Sequence, residues 1–363
     1  EESFLRIRYR IDGVLRQIRS LHKTYWPAIA VRLKVMADMN IAETRAPQDG
    51  RISRTIMGRQ IDFRVASQPT IHGENIVLRV LDREKGIIPL EKLELPKESL
   101  RILKIMMSRP EGIILVTGPT GSGKTTTLYS LLNYISNEQI NIMTLEDPVE
   151  YPFPLIRQTS VNEAAGMGFA NGIKSLMRQD PDVILVGEVR DQETAEMAFR
   201  AAMTGHQVYT TLHTNSAIGA LPRLRDIGII PEIMAGNIIG VIAQRLVRKL
   251  CKICKAAYRP TADDLQLLGN REGVLANKIY KPKGCTACDQ TGYKGRLALL
   301  EILKMNSDLD DLLARGATTK EMREAAYEQG FFTLADDGVR HIIEGTTSIE
   351  EVGRVADLTE RMT

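Results

Sequence analysis

No apolar run in this sequence approaches the ~20 residues that a helix needs to cross a bilayer, so no segment reads as a membrane span. No signal peptide opens it. The first residues are Glu1-Glu2-Ser3, without Met, and a strand pattern follows almost at once. Such a beginning is expected of a piece of a longer protein, whose preceding part would carry localisation or docking. Neither sign of charge dominates: 48 Lys and Arg stand against 45 Asp and Glu, a net +3 that argues for no particular partner. Internal repeats and low-complexity tracts are missing. No cysteine stands outside two C-x-x-C pairs. The 363 residues allow two or three domains with ample core.

Against these absences one motif stands out. Gly118-Pro119-Thr120-Gly121-Ser122-Gly123-Lys124-Thr125 fits G-x-x-x-x-G-K-[ST], the phosphate loop of nucleotide hydrolases. The apolar run Gly112–Thr117 before it reads as a buried strand, and the residues from Thr126 onward have helical spacing. Glycines let backbone N–H groups converge on phosphate oxygens, and the helix N-terminus adds positive potential. A nucleotide is therefore expected along Gly118–Thr126, with Lys124 reaching the β/γ-phosphates and Thr125 holding Mg²⁺. The competing reading is a glycine turn that happens to precede a helix.

The cysteine pairs are Cys251/Cys254 and Cys285/Cys288. Two such pairs can converge on one tetrahedral Zn²⁺, and four sulfur ligands leave no open position, so the metal is expected to be structural. Without secretory features, disulfides are the weaker reading. Redox-active thiols and unligated thiols also compete with zinc.

An α/β class follows from the pattern of elements. Residues 1–90 read as a small α/β domain. A strand at Leu5–Ile11 turns at Asp12-Gly13 and returns at Val14–Ile18. A helix follows from about Tyr25 to Asn40, then strands at Ile61–Ala66 and Ile76–Leu81. Residues 82–100 carry Gly86, Pro89, Pro96 and many charges, and 91–100 are taken as a linker. Residues 101–363 form a second domain. Its strands at Ile113–Val116, Ile140–Leu145, Val183–Val186 and Val208–Thr211 alternate with helical stretches, which implies a mainly parallel sheet covered on both faces. Residues 251–295 are the cysteine insertion and 305–363 a helical tail. There Thr319 is expected to cap a helix, Gly330 to end it, and Ser348–Glu351 to form a capping box.

A phosphate loop needs acids nearby. Glu146 and Asp147 follow one apolar strand, and Pro148 places them at its C-terminal end, where open α/β sheets bind ligands. Glu188 follows another strand, but Gly187 stands where an Asp metal ligand is usual. Glu188 is then expected to reach the metal through water, and Glu146 to orient or deprotonate the attacking water. The competing reading is a pair of solvated strand-end carboxylates. His206 and His213 bracket a strand, and His213 at its exit could sense the γ-phosphate. Taken alone, such histidines are more often structural. Arg64 and Arg79 lie on consecutive strands of the first domain, and strand arginines are usually solvated.

In order along nearly the whole chain, the motifs resemble the bacterial ATPases of type II secretion and type IV pilus assembly. They are Arg8–Gly13, Pro47–Arg51, the phosphate loop, LEDPVE, RQDPDVILVGEVRD, TGHQVYTTLHTNSA, AQRLVRKLC and the cysteine pairs. The resemblance implies a PAS-like N-terminal domain and a RecA-like ATPase core with a zinc clip. It also implies a homohexamer, cytoplasmic and peripheral at the inner-membrane face, working on an inner-membrane platform and accessory proteins. Glu188 becomes the acid after the second strand and Glu146 the catalytic carboxylate. His213 becomes the essential histidine, and Arg64 and Arg79 become arginines that close over the nucleotide. The cysteine clip argues for an extension rather than a retraction ATPase. Ala217–Ala220 and Arg223–Asp226 lean toward the secretion branch without separating it from the pilus branch.

Two different classes compete. A nucleic-acid-translocating hexameric motor would use a basic pore. Arg245–Lys249 is a basic cluster, but it reads as an amphipathic helix facing protein or solvent, and no nucleic acid is expected. The second class is a nucleotide-dependent scaffold without turnover.

Overall fold

A computed structural model of the chain describes residues 2–82, 86–269 and 278–359. It divides into two units, Glu1–Ile87 and Ile88–Thr363, each described by itself.

In the first unit β1 (Phe4–Ile11) and β2 (Val14–His22) form a hairpin closed at Asp12 and Gly13, both at positive φ. Helix α1 (Trp26–Met36) has Pro27 in its first turn, where a missing N–H costs nothing. It stops short of the predicted Asn40 because Asp38 takes a left-handed φ of 55°. β3 (Gln48–Ile56), β4 (Arg59–Thr70) and β5 (Gly73–Asp82) form an antiparallel sheet. Its buried face meets Ala37 and Met39 through Ile52 and Val65. Sequence reasoning missed β3, whose Asp49, Gly50, Ser53 and Arg54 mask its alternation.

The second unit begins with α2 (Lys97–Met107), β6 (Gly112–Thr117), α3 (Lys124–Ile135), β7 (Ile142–Glu146) and β8 (Ile156–Ser160). Next come α4 (Phe169–Leu176), β9 (Val183–Val186), α5 (Gln192–Met203), β10 (Gln207–Leu212), α6 (Ala220–Asp226), α7 (Pro231–Met234) and β11 (Ile238–Leu250). Short β12 (Ala256–Tyr258), α8 (Ala262–Leu267) and β13 (Ile279–Lys281) precede β14 (Tyr293–Lys304). The tail is α9 (Ser307–Ala314), α10 (Thr319–Glu328), α11 (Leu334–Ile343) and α12 (Ile349–Gly353).

The sheet order is β14-β11-β6-β10-β9-β7-β8, parallel except for β14. Every residue of β6, β7, β9 and β10 is buried, as expected for parallel strands covered on both faces. The exits of β6, β7, β9 and β10 therefore share one edge, which gathers Gly118, Glu146, Glu188 and His213.

Residues 245–249 are corrected. They lie not on an amphipathic helix but in the second half of β11, a 13-residue strand. The apolar run Ile238–Ala243 starts it beside β6, and pairing with β14 carries it on through the charged residues. Neither β8, β11 nor β14 was predicted. In the tail the cap of α10 is Thr318, not Thr319, and it closes a capping box with Glu321. Gly330 does follow that helix at positive φ. Ser348 caps α12 as expected, but the Glu351 carboxylate bonds Arg248 across the fold.

Candidate nucleotide site and cysteine cluster

Gly118, Gly121 and Gly123 carry φ of 149°, 79° and 90°, values open to glycine and strained for other residues. A Cβ on Gly118 would stand 2.5 Å from the Gln244 carbonyl oxygen, and one on Gly123 would stand 2.7 Å from Gln244 Nε2. The loop is thus pressed against β11. Gln244 Nε2 donates to the Ser122 carbonyl at 2.7 Å, and its Oε1 accepts from Thr127 at 2.5 Å. Arg245, also buried, donates to the carbonyls of Gln244 and Asn215. Sequence reasoning missed both as loop supports. Their signal was two long polar residues directly after six apolar ones, a place where a solvated pair is not expected.

Helix α3 starts on Gly123 with no side-chain cap, so its first N–H groups face the loop's concavity. Lys124 Nζ donates to the carbonyls of Gly118 at 2.7 Å and Pro119 at 3.2 Å. Burial lowers the basicity of this ammonium, Glu188 works against that, and Arg245 adds to it. The Ser122 hydroxyl is buried with no hydrogen-bond partner among the described residues. An orphaned hydroxyl, a bare glycine cradle, an uncapped helix start and an exposed Thr125 fit a magnesium-bound nucleotide polyphosphate.

Two carboxylates stand at the neighbouring strand ends. Glu146 closes β7 and is 4% exposed. Its Oε1 accepts from Thr144 at 2.6 Å and Gln158 at 3.2 Å, and its Oε2 accepts from the Tyr129 hydroxyl. Burial pushes this carboxyl up from its ordinary range, and the three donors pull it partly back. Glu188, just past β9, pairs with Arg190 and stands 3.6 Å from His213 Nε2. Gly187 between them has a steric reason. Its N–H donates to the Leu145 carbonyl at 2.8 Å, and a Cβ would lie 3.2 Å from that oxygen and 3.3 Å from Glu146 Cα. An Asp there would push on the strand that carries Glu146.

The histidines separate. His213 follows β10 at the loop edge. Next to it the Thr214 N–H donates to the Thr117 hydroxyl at 2.9 Å, tying the exit of β10 to the exit of β6. His206 precedes β10, at the opposite edge of the sheet. Its Nδ1 bonds the Ala201 carbonyl at 2.9 Å and Thr204 at 3.2 Å. That is the structural role.

In the first unit Arg64 and Arg79 are direct cross-strand partners, and Arg51 stands opposite Arg64 on the other side. Arg51, Arg64 and Arg79 thus form a row across β3, β4 and β5. Sequence reasoning singled out two of the three.

The four cysteines cluster. Cys251–Cys285, Cys254–Cys288 and Cys285–Cys288 have sulfur separations of 3.9, 3.8 and 3.7 Å. Tetrahedral ligation at a Zn–S distance of about 2.3 Å requires S···S near ~3.8 Å. Burial would raise the Cys288 thiol, but N–H groups of Cys285 and Gly292 aimed at its sulfur bring it down to about 6. The donor set fits a closed zinc site.

Residues 1–354 match the family model described as type II/IV secretion system protein. The chain is 44% identical over 354 residues to the type II secretion system protein E of Pseudomonas aeruginosa, covering 98% of this chain and 70% of that protein. It is 44% identical over 356 residues to the type IV pilus assembly ATPase TfpB of Acinetobacter baylyi, of which it spans 61%. Among solved structures, the pilus retraction motor PilT with bound ADP superposes with a TM-score of 0.66 at 27% identity. That match covers 98% of this chain and 93% of PilT.

Proposed function

The chain belongs to the type II/IV secretion system protein family and is an ATPase, and from that premise we propose that it forms a homohexamer driving extension of a type IV pilus or a type II secretion pseudopilus. The ring works at the cytoplasmic face of the inner membrane, on a membrane platform and accessory proteins. One observation carries the enzymatic reading. Phosphate loop, Glu146, Glu188 and His213 gather at one sheet edge, with Glu188 close enough to Lys124 to favour the charged ammonium.

In this reading Lys124 and the α3 N-terminus hold the phosphates, and Glu146 takes the proton of the attacking water. His213 senses the γ-phosphate and Arg64 and Arg79 offset charge on the transferring group. Mg²⁺, held through Thr125 and the Glu188 side of the site, would neutralise phosphate charge. Zn²⁺ would lock Cys251, Cys254, Cys285 and Cys288 into a rigid clip.

The nucleic-acid motor reading loses its residues. Arg245 is buried behind the loop, Arg248 is bound by Glu351, and Lys249 bonds Glu94 at 2.6 Å.

Phosphate release from Mg·ATP is the test. Glu188→Gln is expected to lower it about 10²- to 10³-fold with nucleotide binding retained. Unchanged release would remove Glu188 from the catalytic machinery. Arg64→Ala and Arg79→Ala are each expected to lower kcat with nucleotide affinity largely kept; normal turnover in both removes their role. DNA-stimulated activity that weakens steeply with salt would restore the nucleic-acid motor.

A further inference from the structure

Tyr129 lies on α3, five residues beyond Lys124, and is 1% exposed. A phenol so buried costs free energy unless its hydroxyl is used, and a phenylalanine would fill the same space. The ring is held edge-on by Phe153 at 4.9 Å and Tyr151 at 6.3 Å between centroids. The hydroxyl accepts the Glu150 N–H at 3.3 Å, which leaves its own proton for Glu146.

The carboxylate of Glu146 is then almost fully committed. Among the described residues, Oε1 takes two donors, Thr144 and Gln158, while Oε2 takes Tyr129 alone. One acceptor site on Oε2 remains for a further donor.

We propose that Tyr129 is the positioning residue for Glu146, aiming the free lone pair of Oε2 at the attacking water while the same helix holds the phosphates. This rests on the reading of Glu146 as the base. Helix α3 thereby carries both ends of the reaction: its first turn grips the nucleotide, and its second orients the group that activates water. Effective catalysis needs that separation fixed to within a fraction of an ångström.

Around Glu146 the facing groups are Tyr129 from α3, Thr144 on its own strand, Gln158 from β8, and Glu150 from the segment after β7. Burial and Glu150 disfavour the charged carboxylate; the three hydroxyl and amide donors favour it. Burial and the Glu146 charge push the Tyr129 hydroxyl far up, so it stays a donor across any assay range.

The experiment measures kcat and KM for ATP against pH in the whole chain. Tyr129→Phe is expected to move the acid-side midpoint of kcat up by about one pH unit, because a donor to the charged form is lost. Its plateau kcat should fall about 10-fold, with KM within about twofold. Incorporating 3-fluorotyrosine at position 129 keeps shape and hydroxyl but strengthens the donor, so the midpoint should move the other way. That arm decides even where Tyr129→Phe folds poorly. An acid limb that stays in place in both variants overturns the proposal. Glu146→Gln separates the failures. Full turnover in that variant removes the base itself. A dead Glu146→Gln with an unmoved Tyr129→Phe profile removes only the positioning role.

Discussion

Two adjacent strands of one sheet end in a glutamate at the same edge, and the two ends are built differently. At the end of β7, Glu146 is buried and surrounded by neutral donors: a phenol, a threonine and an amide. At the end of β9, Glu188 meets charge, with Arg190 paired to it, His213 at 3.6 Å and Lys124 nearby. A carboxylate in a dry pocket of neutral donors holds its proton more readily than usual and is suited to proton transfer. A carboxylate flanked by basic side chains is suited to electrostatic work on phosphate and metal. Position in the fold is shared, and the environments differ, which in the proposed mechanism would divide the roles.

Removing the two carboxyl charges one at a time puts that division at risk. Glu146→Gln and Glu188→Gln are both expected to lower kcat by about 10²- to 10³-fold. They should differ in Mg²⁺ dependence: Glu188→Gln raises the Mg²⁺ concentration needed for half-maximal nucleotide binding, and Glu146→Gln does not. Identical Mg²⁺ titrations would mean that the two ends do one job.

Gly187 separates the two environments physically, so filling it merges them. Gly187→Asp would supply the acid that phosphate-loop enzymes usually carry at this place. Gain of activity is nevertheless not expected. The new Cβ would crowd the Leu145 carbonyl and Glu146 Cα, and kcat should fall about 10-fold through a displaced base. A variant as active as the parent would show that β7 yields without consequence.

Much of this site was legible beforehand, because its parts announce themselves locally. Glycines at fixed spacing, an acid after an apolar run and a C-x-x-C pair need no tertiary information. The edge that gathers Gly118, Glu146, Glu188 and His213 followed from parallel strands whose exits align. What stayed hidden depends on partners distant in sequence. Arg245–Lys249 reads as a helix until β14 pairs with it, and Gln244 supports the phosphate loop from 122 residues away. Tyr129 was not singled out within its helical stretch, since its hydroxyl partner arrives from β7. Glu351 reads locally as part of a capping box, but a charged partner from β11 outcompetes a backbone N–H. Ser348 keeps its cap, accepting the Glu351 N–H at 3.3 Å, while the same hydroxyl also bonds Tyr293 at 2.7 Å.

Glu351 also supplies the mildest probe of the comparison, since it is an ion-paired carboxylate like Glu188 but pairs with Arg248, four residues along β11 from the Gln244 that supports the phosphate loop. It accepts Arg248 Nε at 2.9 Å and Nη2 at 2.5 Å, while Arg248 lies 4.1 Å from the Tyr293 ring centre. Burial alone would raise this carboxyl, but the Arg248 bonds overcome it and hold the group below its ordinary range. A carboxyl lowered on folding stabilises above its unfolded value, and that stability is lost as pH falls through the folded one. Glu351→Gln is therefore expected to cost about 2 kcal/mol of unfolding free energy at neutral pH. The difference from the parent should shrink as the pH falls below the ordinary glutamate range and through the lowered native value, where the folded carboxylate takes up its proton. Phosphate release per folded chain should stay within about twofold of the parent. If kcat fell as far as in Glu188→Gln, ion pairing anywhere along β11 would matter to the chemistry. The contrast between the ends of β7 and β9 would then be one of global rigidity rather than of local charge.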